Sequence, residues 1–117
     1  MQDIKRYRAG ARVSQAVAFG NIAFLAGQVA TETKGASVTE QTAEVLSRID
    51  ELLADAGTDK TRLLSASVWL ADIAHFAEMN AVWDAWVQTD APPARACVEA
   101  RLANPAYAVE ISVVAAL

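Results

Sequence analysis

The sequence predicts an α+β fold in which two helices cover one face of a mixed β-sheet of about six strands, giving a sandwich of two layers. Short stretches with a loosely alternating apolar and polar pattern occur towards both ends of the chain, as expected for strands. Two longer stretches between them repeat apolar residues at helical spacing. This order of strands and helices requires β-α-β connections, so some of the strands are predicted to be parallel.

The length of 117 residues suits one hydrophobic core, and we expect a single domain over residues 1–117. Hydrophobic residues make up 54% of the chain, and much of the excess is Ala and Val rather than bulky side chains. For a chain of this size, that composition suggests that part of the surface is buried against other subunits.

Three strands are expected in the first 30 residues. Residues 4–8 and 13–19 alternate loosely between apolar and polar, and a Gly-Asn turn follows them. Residues 21–30 form a more continuously apolar third strand. Gly27 within this strand indicates either a β-bulge or a point at which another group approaches the backbone closely, and the sequence leaves both open.

The clearest element is a helix over residues 37–57. Ser37 and Glu40 have the spacing of a capping box at its start, and Gly57 is placed to end it. Helical spacing predicts the residues that pack into the core, which are Val45, Leu46, Ile49, Leu52, Leu53 and Ala56. The opposite side of the helix carries most of its charged residues and is expected to face solvent.

A strand, a helix and two further strands are expected in the second half of the chain. The strand covers residues 63–71, and the second helix covers residues 72–87 with Asp72 as its N-cap. The apolar stripe of this helix consists of Ile73, Phe76, Met79, Trp83, Trp86 and Val87. Both tryptophans of the stripe are interpreted as core residues. Residues 94–102 and 107–116 form the last two strands.

The alternation of these last two strands places polar residues on one side. In the first of them this side consists of Arg95, Cys97, Glu99 and Arg101. A plain hairpin between the two strands would bring Glu110 close to Glu99, and two like charges opposite each other are unfavourable. The sequence therefore predicts that these strands are not direct neighbours in the sheet.

Charge and composition exclude several classes of function. The net charge of −4 gives no basic surface for a phosphate backbone, so nucleic acid is not an expected partner. No stretch approaches the roughly 18 apolar residues of a membrane helix, and the N-terminus has no apolar signal-peptide core. One cysteine allows no internal disulfide, which makes a cytoplasmic location the simplest expectation.

Arg95 is the main candidate for binding chemistry. A guanidinium matches a carboxylate with two parallel hydrogen bonds and stays charged when partly desolvated. The alternative is a structural ion pair with a nearby glutamate, and the sequence does not decide between the two. Cys97 has only His75 as a conceivable partner for nucleophilic catalysis, which gives a thiol nucleophile little support. One His, one Cys and no glycine-rich phosphate loop predict neither a metal nor a cofactor.

Five stretches, in order over roughly Val13 to Ala115, resemble the RidA family of reactive imine and enamine deaminases, also called the YjgF family. They are "GNIAFLAGQVA", "EQTAEVLSRIDELLADAG", "SASVWLADIAHFAEMNAVWDAWV", "PPARACVEARL" and "VEISVVAA". The segments "NAVWDAWV" and "NPAYAVEI" look most like a YoaB-like branch. The resemblance implies a chorismate-mutase-like fold and a homotrimer with three clefts between subunits. It also implies hydrolysis of small 2-imino or 2-enamino acids to 2-keto acids and ammonia.

The resemblance also implies roles for individual residues. Arg95 corresponds to the arginine that holds the substrate carboxylate, and Glu110 to the glutamate that places the attacking water. Cys97 matches a cysteine near which the main chain holds the ligand. Asn80 and Gly27 match an asparagine and a glycine of the binding cleft.

Two positions depart from the family pattern. Val13 stands where the family usually has a tyrosine, and Ala26 where it usually has a serine. Both differences remove hydroxyl groups from the expected cleft, while the carboxylate clamp is kept. A protein that binds or senses a small carboxylate without turnover is therefore the alternative to a deaminase. An endoribonuclease or translation-inhibitor role is disfavoured by the net charge of −4.

Overall fold

The computed structural model describes residues 3–117, which form seven strands in one sheet and two α-helices. The chain also contains two single turns of 3-10 helix, Lys60–Arg62 and Ile73–His75. The elements in chain order are β1 (Ile4–Ala9), β2 (Ser14–Phe19), β3 (Ile22–Leu25), β4 (Gln28–Val29), α1 (Val38–Asp55), β5 (Leu63–Leu70), α2 (Phe76–Trp86), β6 (Ala94–Glu99) and β7 (Val109–Ala116).

The sheet has the strand order β1-β2-β3-β7-β5-β6, and β4 also pairs with β7. Only β5 and β6 are parallel, and every other pair is antiparallel. Because β5 lies between the last two strands, Glu110 is opposite Trp69 and not Glu99. The prediction that the last two strands do not pair is therefore confirmed.

The core lies between the helices and one face of the sheet. Helix α1 contributes the predicted apolar face, of which Val45, Leu46, Ile49, Leu52 and Leu53 are buried and Ala56 is partly buried. The Ser37 hydroxyl accepts a hydrogen bond from the Glu40 backbone N–H at 3.1 Å. Gly57 has a φ of +83° directly after the helix, a conformation that favours glycine. Both ends of α1 were thus predicted from sequence.

Three predicted boundaries were wrong. The predicted third strand is interrupted at Ala26 and Gly27, which separate β3 from β4. The sheet therefore has seven strands in place of about six. The second helix begins at Phe76, since the Asp72 side chain accepts a hydrogen bond from Ala74 N–H and caps a 3-10 turn. Strand β6 ends at Glu99, where the chain leaves the ladder of β5.

The second face of the sheet carries no helices, and we call it the open face. Its exposed apolar side chains are Ile4, Phe19, Ile22, Phe24 and Val98. Each of the five is at least 36% exposed in the single chain. Ile4, Phe19 and Ile22 lie opposite one another on neighbouring strands, and an exposed apolar cluster of this kind is typical of an interface with another protein chain. Neither α-helix within residues 3–117 has the length and hydrophobicity of a membrane-spanning segment.

The loop that leads from β4 into α1 is held by the carboxylate of Glu44. This carboxylate accepts hydrogen bonds from the hydroxyl and backbone N–H of Thr33, from the backbone N–H of Glu32 and from Arg48 Nε. Burial opposes ionisation of Glu44, but the bonds from Thr33 and Arg48 outweigh it and hold the pKa at about 2.

We expect Glu44→Gln to lower the free energy of unfolding at neutral pH by about 1 to 3 kcal/mol, because a charged acceptor of several bonds is lost. The native pKa is depressed, so this stabilisation exists above the ordinary glutamate pKa and disappears as pH falls towards about 2. Urea unfolding at pH 7 and pH 3 measures it, and the difference from wild type should narrow at pH 3. Glu32→Gln is the control, since that side chain is exposed; equal losses in both variants would contradict the role of Glu44.

Candidate functional site

Arg95 lies on β6, at the edge of the sheet, and its side chain faces the helix layer. The centre of its guanidinium is 5.0 Å from the centroid of the Trp83 ring and 5.9 Å from that of Phe76. Its Nη1 atom is 4.0 Å from the sulfur of Met79. No carboxylate of residues 3–117 forms a salt bridge with Arg95. The structural ion pair left open by the sequence is therefore absent from this part of the chain.

Cys97 lies two residues further along β6, on the same face as Arg95, and is half-buried. Burial raises the pKa of its thiol, and the charge of Arg95 opposes this effect only in part. Because the thiolate is the nucleophilic form of cysteine, these surroundings disfavour an activated thiol.

Glu110 lies on β7 between Val29 of β4 and Trp69 of β5, and its side chain is on the open face. It has no salt bridge within residues 3–117, and burial raises the pKa of its carboxyl group. A Cβ atom at Gly27 would be 2.1 Å from Glu110 Oε2. Of the two alternatives for this glycine, the structure supports close approach, and the approaching group is the Glu110 carboxylate.

Ala26 lies just before β4, and Val13 lies just before β2. The backbone N–H of Ala26 donates to Gln15 O at 2.9 Å, and its carbonyl accepts from Gln28 Nε2 at 3.0 Å. The Gln28 amide also donates to Gln15 Oε1 at 2.9 Å. Val13 is 52% exposed. Sequence reasoning missed this pair of glutamines, although a polar Gln28 in an otherwise apolar stretch was the available signal.

Asn80 lies on α2 and is half-buried. Its Oδ1 atom is buried and has no hydrogen-bond partner within residues 3–117. The helical repeat places Asn80 beside Phe76 and Trp83, four residues before it and three after it. Buried polar atoms are normally paired, so an unpaired acceptor beside the residues around Arg95 is consistent with a binding role.

The predicted site residues fall into two groups. Arg95 and Cys97 lie on the sheet face covered by the helices, with Asn80 on α2 above it. Glu110 lies on the open face against Gly27, which follows Ala26 in the chain. The register requires this separation, because Arg95 pairs through β5 with Val113, whose side chain is on the face opposite that of Glu110. One copy of the chain therefore does not bring Arg95 and Glu110 together.

A cavity of about 770 Å³ lies near the end of β6 and does not contain either group. It is lined by Ala71, residues 99–105 and Tyr107. Among residues 3–117, no cluster of three or more His, Cys, Asp or Glu side chains is arranged to hold a metal ion.

Comparison with known proteins shows relatives over nearly the whole chain. Residues 3–117 match the family model described as Endoribonuclease L-PSP. A RutC family protein of Haemophilus influenzae is 45% identical over 112 residues, which cover 96% of this chain and 97% of that protein. The RutC family protein YoaB of Escherichia coli is 43% identical over 114 residues, which cover 97% of this chain and 98% of YoaB.

The fold has equally similar counterparts among solved structures. The crystal structure of NMB1025 from Neisseria meningitidis, described as a member of the YjgF protein family, superimposes with a TM-score of 0.94 at 46% identity. The match covers 97% of this chain and 94% of that one. The fold class expected from the sequence is thereby confirmed. Sequence and structure agree that the chain belongs to the RidA/YjgF family, whose relatives are also described as RutC family proteins.

Proposed function

We propose that this protein hydrolyses small 2-imino and 2-enamino acids to 2-keto acids and ammonia. The reaction takes place in a cleft between two copies of the chain. The substrate carboxylate binds Arg95 of one copy, and Glu110 of the next copy places the attacking water. No metal or covalent nucleophile is needed, because an imine carbon is already electrophilic and requires only positioning, a proton source and water.

The observation that carries this proposal is the environment of Arg95. Its guanidinium is half-buried among aromatic rings and a thioether, and no acidic side chain of residues 3–117 neutralises it. A partly buried charge without a partner is costly, so such an arrangement favours a bound anion as the missing partner. A carboxylate fits the planar fork of arginine with two hydrogen bonds.

Glu110 supplies the acid-base chemistry in this proposal. Its carboxyl group is half-buried, and burial brings its pKa above the usual glutamate value. A carboxyl group with a raised pKa accepts a proton from water and returns it to the departing nitrogen more readily at near-neutral pH. The absence of a side chain at Gly27 allows the carboxylate to lie directly over the backbone of the β3–β4 break.

A trimer with clefts between its subunits accounts for two features of the single chain. The open face exposes apolar side chains that another copy can cover. Arg95 and Glu110 lie on opposite faces of the sheet, and contact between copies allows two such half-sites to meet. Cyclic assembly repeats the same pair of half-sites at each interface.

A binding protein for small carboxylates, without turnover, is the second candidate. Val13 and Ala26 favour it, because neither side chain can donate a hydrogen bond to an imine or to water. The description of the matching model as an endoribonuclease has less support from this chain, whose net charge of −4 opposes binding to a phosphate backbone.

Arg95→Ala should abolish catalysis of imine hydrolysis, because the substrate loses its carboxylate anchor. Imines are generated in the assay by an amino-acid oxidase, and release of ammonia and keto acid is measured against the uncatalysed rate. Arg101→Ala is the control, since this exposed arginine lies beyond β6. Equal rates for Arg95→Ala and wild type would refute the deaminase. Calorimetry that detects keto acid binding without turnover of any imine would favour the binding protein.

Mixed oligomers test whether Arg95 and Glu110 come from different copies. Arg95→Ala and Glu110→Gln chains, co-expressed with different affinity tags and purified as mixed trimers, should regain about one third of wild-type activity. In a cyclic trimer that contains both chains, about one third of the interfaces have both residues intact. Arg95→Ala alone is expected to be inactive, and Glu110→Gln alone is expected to keep only a small residual activity. Hetero-oligomers that stay inactive would refute a site shared between two copies of the chain.

The pH dependence of kcat/KM tests the role of Glu110. Because burial raises its pKa, the acid limb of the profile should lie above the ordinary glutamate range, and Glu110→Gln should remove that limb. Because the pKa of Glu110 is higher in the folded chain than in the unfolded chain, ionisation of this group lowers the free energy of unfolding as pH rises past the ordinary glutamate pKa. Glu110→Gln should therefore raise Tm at neutral pH. An acid limb retained in the variant would assign it to another group.

A further inference from the structure

The residues around Arg95 suggest a part of the site that none of the predicted site residues covers. We propose that Trp83 is a positioning residue for Arg95, holding the guanidinium in the orientation that receives a carboxylate. Phe76 and Met79 also contact the Arg95 guanidinium, and we call Trp83, Phe76 and Met79 together the aromatic cage. The inference rests on the proposed function, because it assigns Trp83 a role in the same carboxylate site.

Arg95 needs such support because of its place in the fold. It lies on an edge strand, so a neighbouring strand flanks it on one side only. An arginine side chain has many rotamers, and fixing it at the moment of binding weakens affinity. An acidic neighbour would fix it but would also occupy the N–H groups that the substrate needs. No such neighbour is present in residues 3–117.

An aromatic ring fixes the guanidinium without using its hydrogen bonds. The ring attracts the positive charge through the electron density of its face, so the N–H groups at the edge of the guanidinium remain available. The Trp83 ring is the nearer of the two, at 5.0 Å compared with 5.9 Å for Phe76. The thioether of Met79 is only a weak hydrogen-bond acceptor for Nη1 and competes little with a carboxylate.

Trp83 is also the most suitable of these residues to act as a fixed surface. It is 6% exposed, whereas Phe76 is 41% exposed. The Trp86 ring packs against it with a centroid distance of 5.4 Å and an interplanar angle of 54°. Because the Trp83 ring is buried and packed against Trp86, it offers Arg95 one defined position. Preorganised sites limit the entropy lost on binding in this way.

The chain offers a matched control in Trp86. This tryptophan lies on the same helix, donates a hydrogen bond from Nε1 to Asp50 at 3.0 Å, and has Lys60 Nζ at 5.3 Å from its ring. Trp86 forms no cation–π contact with Arg95 within residues 3–117. A loss of packing that merely loosens α2 should therefore affect Trp86→Leu and Trp83→Leu alike.

The test compares binding of pyruvate and 2-ketobutyrate, and turnover of the matching imines, in Trp83→Leu, Trp83→Phe and Trp86→Leu proteins. Trp83→Leu should weaken keto acid binding and raise KM by about tenfold, with kcat changed little, because a desolvated cation–π contact is lost. Trp83→Phe keeps an aromatic face and should recover most of the affinity. Trp86→Leu removes the ring behind Trp83 but keeps the Trp83 face beside Arg95, so it should weaken keto acid binding clearly less than Trp83→Leu does.

Two further variants separate positioning from folding. In an Arg95→Ala background, Trp83→Leu should cause no additional loss of keto acid affinity, because there is no guanidinium left to position. Phe76→Leu changes an exposed residue, so it is expected to fold and to weaken binding by about threefold even if Trp83→Leu does not fold.

The outcomes distinguish this inference from the proposed function. Wild-type affinity in Trp83→Leu, equal losses in Trp83→Leu and Trp86→Leu, or an added loss in the Arg95→Ala background would overturn the positioning role. If Trp83→Leu does not fold, wild-type affinity in Phe76→Leu would overturn it. Wild-type binding and turnover in Arg95→Ala would instead refute the proposed function itself.

Discussion

The pairing of β7 with β3, β4 and β5 is the constraint on which the rest of this structure depends. With β7 in the middle of the sheet, β6 cannot form a hairpin with it and pairs in parallel with the outer side of β5. Arg95 therefore lies at a sheet edge beneath α2, and Glu110 lies centrally on the open face. Both positions follow from where one eight-residue strand is inserted.

Arg95 and Glu110 carry opposite charges, and neither has a salt-bridge partner within residues 3–117. Arg95 is a cation without an acidic partner in residues 3–117, and Glu110 is an anion without a basic one. Partly buried single charges cost stability when nothing compensates them. The surroundings limit this cost in different ways. Aromatic faces attract the positive charge of Arg95, whereas burial raises the pKa of Glu110 and so favours its neutral, protonated form. A ligand or a second copy of the chain supplies what each half lacks in our proposal.

The contacts that stabilise the fold and the proposed binding residues lie in different parts of the chain. Helix α1 is capped at both ends, packs its apolar face on the sheet, and holds the preceding loop through Glu44. Helix α2 begins after a 3-10 turn, and the side chains of Ile73 and Phe76 at this end are exposed. The less buried helix is the one that contacts Arg95, which leaves the guanidinium accessible while α1 and β7 maintain the core.

The sequence by itself determined the features that depend on near neighbours in the chain. The ends and buried face of α1 follow from residues three or four apart, and the side of β6 that carries Arg95 follows from strand alternation. Like charges on Glu99 and Glu110 predicted that β6 and β7 do not form a hairpin, as the strand order confirms. Only the tertiary structure decided the break at Gly27, the aromatic cage of Arg95 and the placement of Arg95 and Glu110 on opposite faces. The physical reason is that each depends on groups brought together by strand order, such as Gly27 with Glu110 and Trp83 with Arg95, and sequence spacing does not encode that proximity.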